Sequence, residues 1–348
     1  MKKILIAEVA VLLGLLVVAL VVRFAFMPAR DDLRQPDTNQ TTGSTEAIHV
    51  MATDPTPGET DPQPDPEPSR PVITEPDPEA VLKEMELSAR NAFAYNLESG
   101  TVYYLGGGWT AQLYPASVTK LFSAYVALQY LDPTTVITAG DELDLVAEDS
   151  SIAYIHKGNK LTAAMLVEGM LLPSGNDAAY ILATAAARAE SGDPSLSAKD
   201  SIAHFVKLMN TTAQALGMTG SHFCNPDGYH DEDHYTCARD LITIARLALE
   251  NEVIKRYAGK YEDSVVYASG HTNRWHNTNS LVNPNSPYYC PNAVGLKTGK
   301  TSAAGSCLLS AFLVDGEYVI VGTFGCAESV DRFKDTLKLY NALLTVPK

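Results

Sequence analysis

Ser117 and Lys120 are the first residues along the chain whose types and spacing could do chemistry. On a helix, residues three positions apart share one face, with their Cβ atoms about 5–6 Å apart. A serine hydroxyl is a poor nucleophile at neutral pH, but a desolvated lysine beside it is neutral part of the time and can take its proton. The pair could therefore attack an acyl group. The same spacing also arises by chance, as a helix cap followed by a solvated lysine.

Two further short segments carry polar residues that could serve the same reaction. In the first, Ser174 and Asn176 could direct a hydroxyl and an amide into a cleft, or could belong to a loop that caps a helix. In the second, residues 297–300 (Lys-Thr-Gly-Lys), Lys297 offers a fixed positive charge and Gly299 allows another backbone to approach closely. The plain alternative for this second segment is a surface turn, so neither segment is specific by itself.

The elements that must position these residues can be predicted from hydrophobic patterns. Residues 121–131 are apolar on nearly every face, which is typical of a helix in the centre of a domain. Most of the stretch 117–260 has helical patterns, and a last helix is predicted at 331–344. Strand-like runs in pairs around short turns flank the helical part, at 91–97, 101–105, 306–314 and 318–324. These patterns predict an α+β fold whose antiparallel sheet comes from both ends of the globular part.

Composition divides the 348-residue chain into three parts. Residues 1–29 contain an apolar run of about twenty residues, which favours a membrane anchor, and the rival interpretation is a secretory signal that is cleaved. Residues 30–82 are acidic and rich in proline, and they cannot bury enough apolar surface to fold, so we predict a disordered, extended linker. Residues 83–348 have the composition of an ordinary globular protein, and we expect this domain to lie outside the cytoplasm on a single-pass anchor.

Charge and cysteine content exclude some classes of function. The formal net charge is -15, and residues 30–80 hold twelve acidic and three basic side chains, so the acidic character is concentrated in the linker. No basic stripe suits nucleic acid, and we expect no such partner. Five cysteines cannot all pair within one chain. Cys224–Cys237 and Cys307–Cys326 are candidate disulfides, with the alternative that each cysteine is a small buried apolar residue.

Taken together, the three polar segments match the order and approximate spacing of a known set. Ser-x-x-Lys, then Ser-x-Asn, then Lys-Thr-Gly is close to the set of penicillin-binding proteins and class A β-lactamases. Over residues 85–348 the chain resembles the low-molecular-mass D-alanyl-D-alanine carboxypeptidases, also in the stretches 223–228, 236–240 and 277–279. The resemblance implies a fold like that of β-lactamases and DD-peptidases. That fold has a five-stranded antiparallel sheet flanked by helices, together with a helical subdomain.

The resemblance also implies catalytic roles for individual residues. Ser117 would be the acylated nucleophile and Lys120 the base that activates it. Ser174 would relay protons, and Asn176 would hold the lysine and the substrate amide. The backbone N–H groups of Ser117 and Lys300 would form an oxyanion hole, whose donors matter because charge appears on the carbonyl oxygen only as the tetrahedral intermediate forms.

The substrate side of the site is implied in the same way. Lys297 and Thr298 would bind the C-terminal carboxylate of D-Ala-D-Ala in the peptidoglycan stem peptide, beside Gly299 and Lys300. β-Lactams would be covalent inhibitors, and neither a metal nor another cofactor is expected. Lys300 occupies a position that varies in the family and bears on substrate preference. Many relatives have a C-terminal amphipathic anchor, and we expect the N-terminal apolar run to replace it here.

Three alternative functions compete with this interpretation. A β-lactamase of class A needs a glutamate that drives deacylation, and Glu168 is a poor candidate because it precedes Ser174 in an apolar helical pattern. A zinc peptidase could use the cluster from His230 to His234, although the surrounding Gly/Asn/Pro residues favour a structural loop. The third alternative is a catalytically silent receptor or wall-binding protein, which the intact polar set argues against.

Overall fold

A computed structural model describes residues 77–83 and 85–347 of the chain. The predicted anchor at 1–29, and the predicted linker up to residue 76, lie outside the described residues. Within the described part, no helix combines the length and the apolar character needed to span a bilayer. The end of the predicted linker is described and lies along the sheet, where the N–H groups of Val81 and Leu82 donate to strand carbonyl groups at 3.0 and 2.7 Å.

The main sheet is built from strands at both ends of the described chain. Its strands are β1 (Asn91–Asn96), β2 (Val102–Gly106), β7 (Ala293–Thr301), β8 (Gly305–Val314) and β9 (Glu317–Cys326). They lie in the order β2-β1-β9-β8-β7, with every neighbouring pair antiparallel. This arrangement confirms the α+β class and the five-stranded sheet. Asp315 and Gly316, with φ of 54° and 90°, form the expected tight turn between β8 and β9.

Between β2 and β7 the chain forms the helical part of the fold and two small hairpins. The hairpins pair β3 (Val136–Thr138) with β4 (Lys160–Thr162), and β5 (Glu262–Val266) with β6 (Thr272–His276). The helices, including the last one after β9, are α1 (Thr119–Ala127), α2 (Ala163–Leu171), α3 (Asn176–Ser191), α4 (Ala198–Ala215), α5 (Ala238–Glu250), α6 (Glu252–Ala258) and α7 (Asp331–Leu343).

Helix α1 occupies the centre of the helical part, as its apolar sequence predicts. All of its residues except Tyr125 are buried, and it packs against α2, α3, α4 and α5. The predicted range 121–131 was wrong at its C-terminal end. The N–H groups of Gln129 and Tyr130 bond three residues back rather than four, because the chain must leave helical geometry before Asp132-Pro133.

Both faces of the main sheet are covered, which explains why β8 and β9 are apolar along most of their length. On β8, Leu308 and Phe312 face α7, where the Phe312 ring stacks on Tyr340 with centroids 4.3 Å apart. Leu309 and Ala311 point the other way, into the core shared with the helical part. β7 is the outermost strand on its side, and it packs against the turn that precedes α1. That contact brings the Lys-Thr-Gly segment to the Ser-x-x-Lys segment.

All five cysteines are free, so neither candidate disulfide forms. Cys224 Sγ lies 3.7 Å from His222 Nδ1, whereas Cys237 is fully buried and packs beside Gly220, so the two side chains face different surroundings. Cys326 is registered against Ser306 rather than Cys307, because the ladder shifts between Ser306 and Leu308. Cys237, Cys290, Cys307 and Cys326 are buried, as the alternative interpretation expects.

Candidate active site

Ser117 lies in a single 3₁₀ turn, Ala116–Val118, which we call the nucleophile turn and which leads directly into α1. Ser117 was expected in the same helix as Lys120; instead it precedes that helix, and the two side chains still meet. Ala116 has φ of 48°, a left-handed conformation that costs a residue with a Cβ about 1–2 kcal/mol. Backbone strain of this kind persists only where the surroundings enforce it, and it clusters at functional sites.

Lys120 is the electrostatic centre of the site. Its side chain is fully buried, and its Nζ donates to Ser117 Oγ at 2.8 Å, Asn176 Oδ1 at 2.7 Å and the Asp227 carbonyl oxygen at 2.7 Å. Burial lowers the pKa of Lys120 from 10.5 to about 8, against the opposing effect of the Asp227 and Asp177 carboxylates. A sizeable fraction of Lys120 is therefore neutral near physiological pH, as a base for the Ser117 hydroxyl must be.

The loop that carries Asp227 was not predicted as part of the site. Asp227 contributes its carbonyl oxygen to Lys120, and the next residue, Gly228, presses against the nucleophile turn. Gly228 has φ of +81°, and a Cβ there would lie 1.9 Å from the Ala116 carbonyl oxygen. Its N–H donates to Asn225 Oδ1 at 2.8 Å, which closes the turn. The Asn-Pro-Asp-Gly sequence signals such a turn, but it does not reveal where the turn docks.

Asn176 stands at the start of α3, where it joins Lys120 to a neighbouring loop. Its Oδ1 accepts from Lys120, while its Nδ2 donates to Ser150 Oγ at 2.9 Å, so both ends of the amide are used. The adjacent Asp177 accepts from the Ala153 and Ile155 N–H groups and holds the same loop. Because these bonds fix the loop to the helix, Asn176 has little freedom to turn away from Lys120.

Ser174 precedes Asn176 by two positions and is not among the hydrogen-bond partners of Lys120. It is 6% exposed, has φ of 66° and belongs to the turn between α2 and α3. The oxygen atoms that accept from Lys120 belong to Ser117, Asn176 and Asp227, not to Ser174. The predicted relay role of Ser174 therefore stays a prediction.

Lys297 and Thr298 lie on β7, buried below the cleft surface. Lys297 is 1% exposed, and its Nζ donates to the Thr298 carbonyl oxygen at 3.0 Å. Burial lowers the pKa of Lys297 well below its usual value, and the positive charges of Lys120 and Arg332 lower it further. The Thr298 hydroxyl bonds to Thr278 Oγ1 at 2.5 Å. An anionic ligand beside this buried amine would favour its protonated form.

Gly299 explains why β7 can approach the nucleophile closely. A Cβ at this position would lie 3.0 Å from the Ser117 nitrogen and 2.9 Å from the Ala116 Cβ. Arg332 on α7 donates from Nη1 to the Gly299 carbonyl oxygen at 3.0 Å and so braces this strand from behind. Its Nε is buried and has no partner among the described residues. Arg332 was missed because no pattern in the sequence links it to Gly299, 33 positions earlier.

Three of the predicted residues, Ser117, Asn176 and Lys300, line a single cleft of about 470 Å³. The rest of the lining comes from the loop 149–151, the loop 228–230 and residues 301–302 at the end of β7. The Tyr229 hydroxyl donates to Asp149 Oδ1 at 3.0 Å, which joins the two loops. Lys120 and Gly299 are not part of this lining, but both lie directly against Ser117.

Glu168 and His234, which the alternative functions would use, are held in other contacts. Glu168 Oε1 accepts from Lys260 Nζ at 3.0 Å, and burial raises its pKa to about 7. Glu168 is thus committed to an ion pair and is absent from the lining of the cleft. His234 Nε2 bonds Thr119 Oγ1 at 2.9 Å, and its Nδ1 accepts from the Cys224 N–H at 3.2 Å, so neither ring nitrogen is available to a zinc ion.

Comparison with known proteins identifies the family of the chain. The family profile of D-alanyl-D-alanine carboxypeptidases matches residues 77–327. A D-alanyl-D-alanine carboxypeptidase of Streptomyces sp. is 32% identical over 76% of this chain and 90% of its own length. The carboxypeptidase DacF of Bacillus subtilis is 28% identical over 74% of this chain, which spans 62% of that relative's length.

Solved structures show the same fold. A Streptomyces DD-transpeptidase superposes with a TM-score of 0.68 at 28% identity, over 76% of this chain and all of that one. Penicillin-binding protein D2 of Listeria monocytogenes, solved with ampicillin bound, shares the fold with a TM-score of 0.62 at 24% identity, over 76% of this chain and all of that one. The fold and the Ser117–Lys120 pair thus define a serine peptidase of the penicillin-binding class. The chain belongs to the D-alanyl-D-alanine carboxypeptidase family.

Proposed function

We propose that this enzyme removes the terminal D-alanine from peptidoglycan pentapeptides through an acyl-enzyme on Ser117. The contact of 2.8 Å between the buried Lys120 Nζ and Ser117 Oγ is the observation that carries the proposal. It gives the hydroxyl a base whose pKa, about 8, suits proton transfer at physiological pH. Membership of the carboxypeptidase family supports the same reaction.

Acylation follows from the arrangement of the cleft. Ser117 Oγ attacks the carbonyl carbon of the penultimate D-alanine while its proton passes to Lys120 Nζ. The carbonyl oxygen becomes negative, and the N–H groups of Ser117 and Lys300 are the donors we propose for it. The peptide C–N bond then breaks, and the departing amine of the terminal D-alanine takes up the proton. Water subsequently attacks the ester, which frees Ser117 and yields the shortened peptide.

Recognition of the free carboxylate is assigned to β7. The side chain of Lys297 is buried, and among residues 77–83 and 85–347 its Nζ has no anionic partner and bonds only the Thr298 carbonyl oxygen. A substrate carboxylate beside it would favour the protonated amine and raise the pKa that burial lowers. The Thr298 hydroxyl lies next to it and can donate to the same carboxylate. A peptide without a free C-terminal carboxylate should therefore be a poor substrate.

β-Lactams should acylate the same serine and remain attached. Their strained amide presents a carbonyl carbon to Ser117, and the ampicillin-bound relative shows that this fold can hold such a compound. A β-lactamase would need a group that activates water for rapid deacylation, and Glu168 is held by Lys260 outside the cleft lining. Slow release of bound penicillin supports the carboxypeptidase, whereas rapid turnover supports the β-lactamase.

The products formed by the full chain from a stem pentapeptide test the proposal. Mass spectrometry should show loss of a single D-alanine, and the reaction should continue in chelator. Exchange of the terminal residue for an added amino acid would instead identify a transpeptidase that uses the same acyl-enzyme. An unchanged pentapeptide, with the protein folded, would contradict the proposal. It would support the alternative interpretation of a catalytically silent receptor or wall-binding protein.

We propose, as a separate point, that residues 1–29 anchor the enzyme in the cell membrane with its catalytic domain outside the cytoplasm. The apolar run in these residues is long enough to span a bilayer, and the substrate is part of the cell wall. The full chain should sediment with membranes and resist extraction by high salt, while deletion of 1–29 should release it. Recovery of a shortened, soluble protein from the medium would instead show that the segment is a cleaved signal.

A further inference from the structure

A series of hydrogen bonds that does not include the Lys120 amine ends at the nucleophile turn. Thr119, fully buried, donates from Oγ1 to the Ala116 carbonyl oxygen at 2.8 Å. The same Oγ1 contacts His234 Nε2 at 2.9 Å, and His234 Nδ1 accepts from the Cys224 N–H at 3.2 Å. These contacts have no part in proton transfer between Ser117 and Lys120, so they need another explanation.

The donor and acceptor of each of these hydrogen bonds follow from the first donor, the Cys224 N–H. A backbone N–H can only donate, so His234 Nδ1 must carry a lone pair and the ring proton must sit on Nε2. Burial lowers the pKa of His234 to about 3, which keeps the ring neutral over the working range. His234 Nε2 therefore donates to Thr119 Oγ1, and the hydroxyl proton of Thr119 is left to point at the Ala116 carbonyl oxygen.

These hydrogen bonds end at the peptide group that joins Ala116 to Ser117. This peptide is planar and trans, so its carbonyl and its N–H point in opposite directions. Holding the Ala116 carbonyl toward Thr119 and Gly228 thus directs the Ser117 N–H the other way, toward Gly299 of β7. The left-handed φ of Ala116 is strained, and the Ala116 carbonyl oxygen is held by the Thr119 hydroxyl in addition to the Thr119 backbone N–H.

We propose that Thr119 and His234 are positioning residues, which orient the Ser117 N–H as an oxyanion donor by holding the carbonyl of the same peptide. The proposal rests on the acylation of Ser117 proposed above. Neither side chain lines the cleft, and both act through the Ala116–Ser117 peptide. Their loss should slow the chemical step because an oxyanion donor stabilises the tetrahedral intermediate more than the bound substrate.

The test separates binding from acylation in the full chain, with benzylpenicillin as the probe. Rapid-mixing kinetics should give an acylation rate constant that is about 10- to 100-fold lower in Thr119→Val, with the dissociation constant of the first complex changed less than about threefold. Complete loss of one oxyanion donor costs about 10²- to 10³-fold, and a misdirected donor should cost less. Thr119→Ser keeps the hydroxyl and should restore the rate constant to within about threefold of the original enzyme.

Thr336→Val is the matched control, because Thr336 is a fully buried threonine on α7 whose hydroxyl bonds Thr323 Oγ1 at 3.1 Å, outside the cleft lining. It should lower the melting temperature but keep the acylation rate constant.

If Thr119→Val does not fold, Thr119→Ala and Thr119→Ser make the same comparison, since they differ by one hydroxyl oxygen. Equal rate constants in that pair, or in Thr119→Val and the original enzyme, would overturn the proposal. An original enzyme that benzylpenicillin does not acylate would refute the proposed function instead.

Discussion

Release of the terminal D-alanine is expected to fall to the background rate in Ser117→Ala and by about 10²- to 10⁴-fold in Lys120→Ala. In the described part of the chain, Ser117 supplies the only hydroxyl that accepts from the Lys120 amine, so its loss removes the nucleophile. Loss of Lys120 removes the proton acceptor, and it also leaves Asn176 Oδ1 and the Asp227 carbonyl without their buried donor. The release of D-alanine from a muropeptide mimic measures both effects.

The pH dependence identifies the role of Lys120. Acylation needs the neutral amine, and burial lowers the pKa of Lys120 from 10.5 to about 8, so the rate constant should rise with pH through about 8 in the original enzyme. Lys120→Arg is a matched control because a guanidinium stays charged at every accessible pH and cannot accept the proton. The residual activity of Lys120→Arg should not show the rise with pH through about 8. Undiminished release from Lys120→Ala would contradict the mechanism, provided that its fold is intact.

Gly228→Ala is expected to lower the free energy of unfolding by about 2–5 kcal/mol and to slow acylation of Ser117 in the molecules that fold. The added Cβ would lie 1.9 Å from the Ala116 carbonyl oxygen and 2.4 Å from its carbon, both of which are backbone atoms that cannot rotate away. Relief requires the nucleophile turn or the Asp227 loop to move, and either movement disturbs the contacts of Lys120. Urea denaturation and penicillin acylation measure the two effects.

Gly270→Ala separates the clash from the backbone strain. Gly270 has φ of +85°, close to the +81° of Gly228, but no atom lies within 4 Å of the Cβ that it would gain. Its substitution should cost only the strain, about 1–2 kcal/mol, and should leave acylation unchanged. Equal losses of stability in the two variants, with acylation intact in both, would show that Gly228 does not support the nucleophile turn.

Local sequence patterns determined the elements and most of the reactive groups. The strand pairs around Gly100 and Asp315-Gly316, the buried helix after Ser117 and the final helix all have patterns that extend over neighbouring residues. Ser117 and Lys120 could be recognised for the same reason, because a spacing of three places two side chains together whether the turn is 3₁₀ or α-helical. The Ser-x-Asn and Lys-Thr-Gly segments could be interpreted only through their order along the chain after Ser-x-x-Lys.

Only the tertiary structure decided which backbone groups complete the site. The Asp227 carbonyl on Lys120, the Arg332 guanidinium behind Gly299 and the peptide restrained by Thr119 all join segments that lie far apart in sequence. Every residue has a carbonyl and nearly every residue an N–H, so residue type does not reveal which of them is used. The packing of β7 and the Asp227 loop against the nucleophile turn determines which of these groups are used. Each segment approaches the turn at a glycine, Gly299 or Gly228, and only the folded structure shows why glycine is needed there.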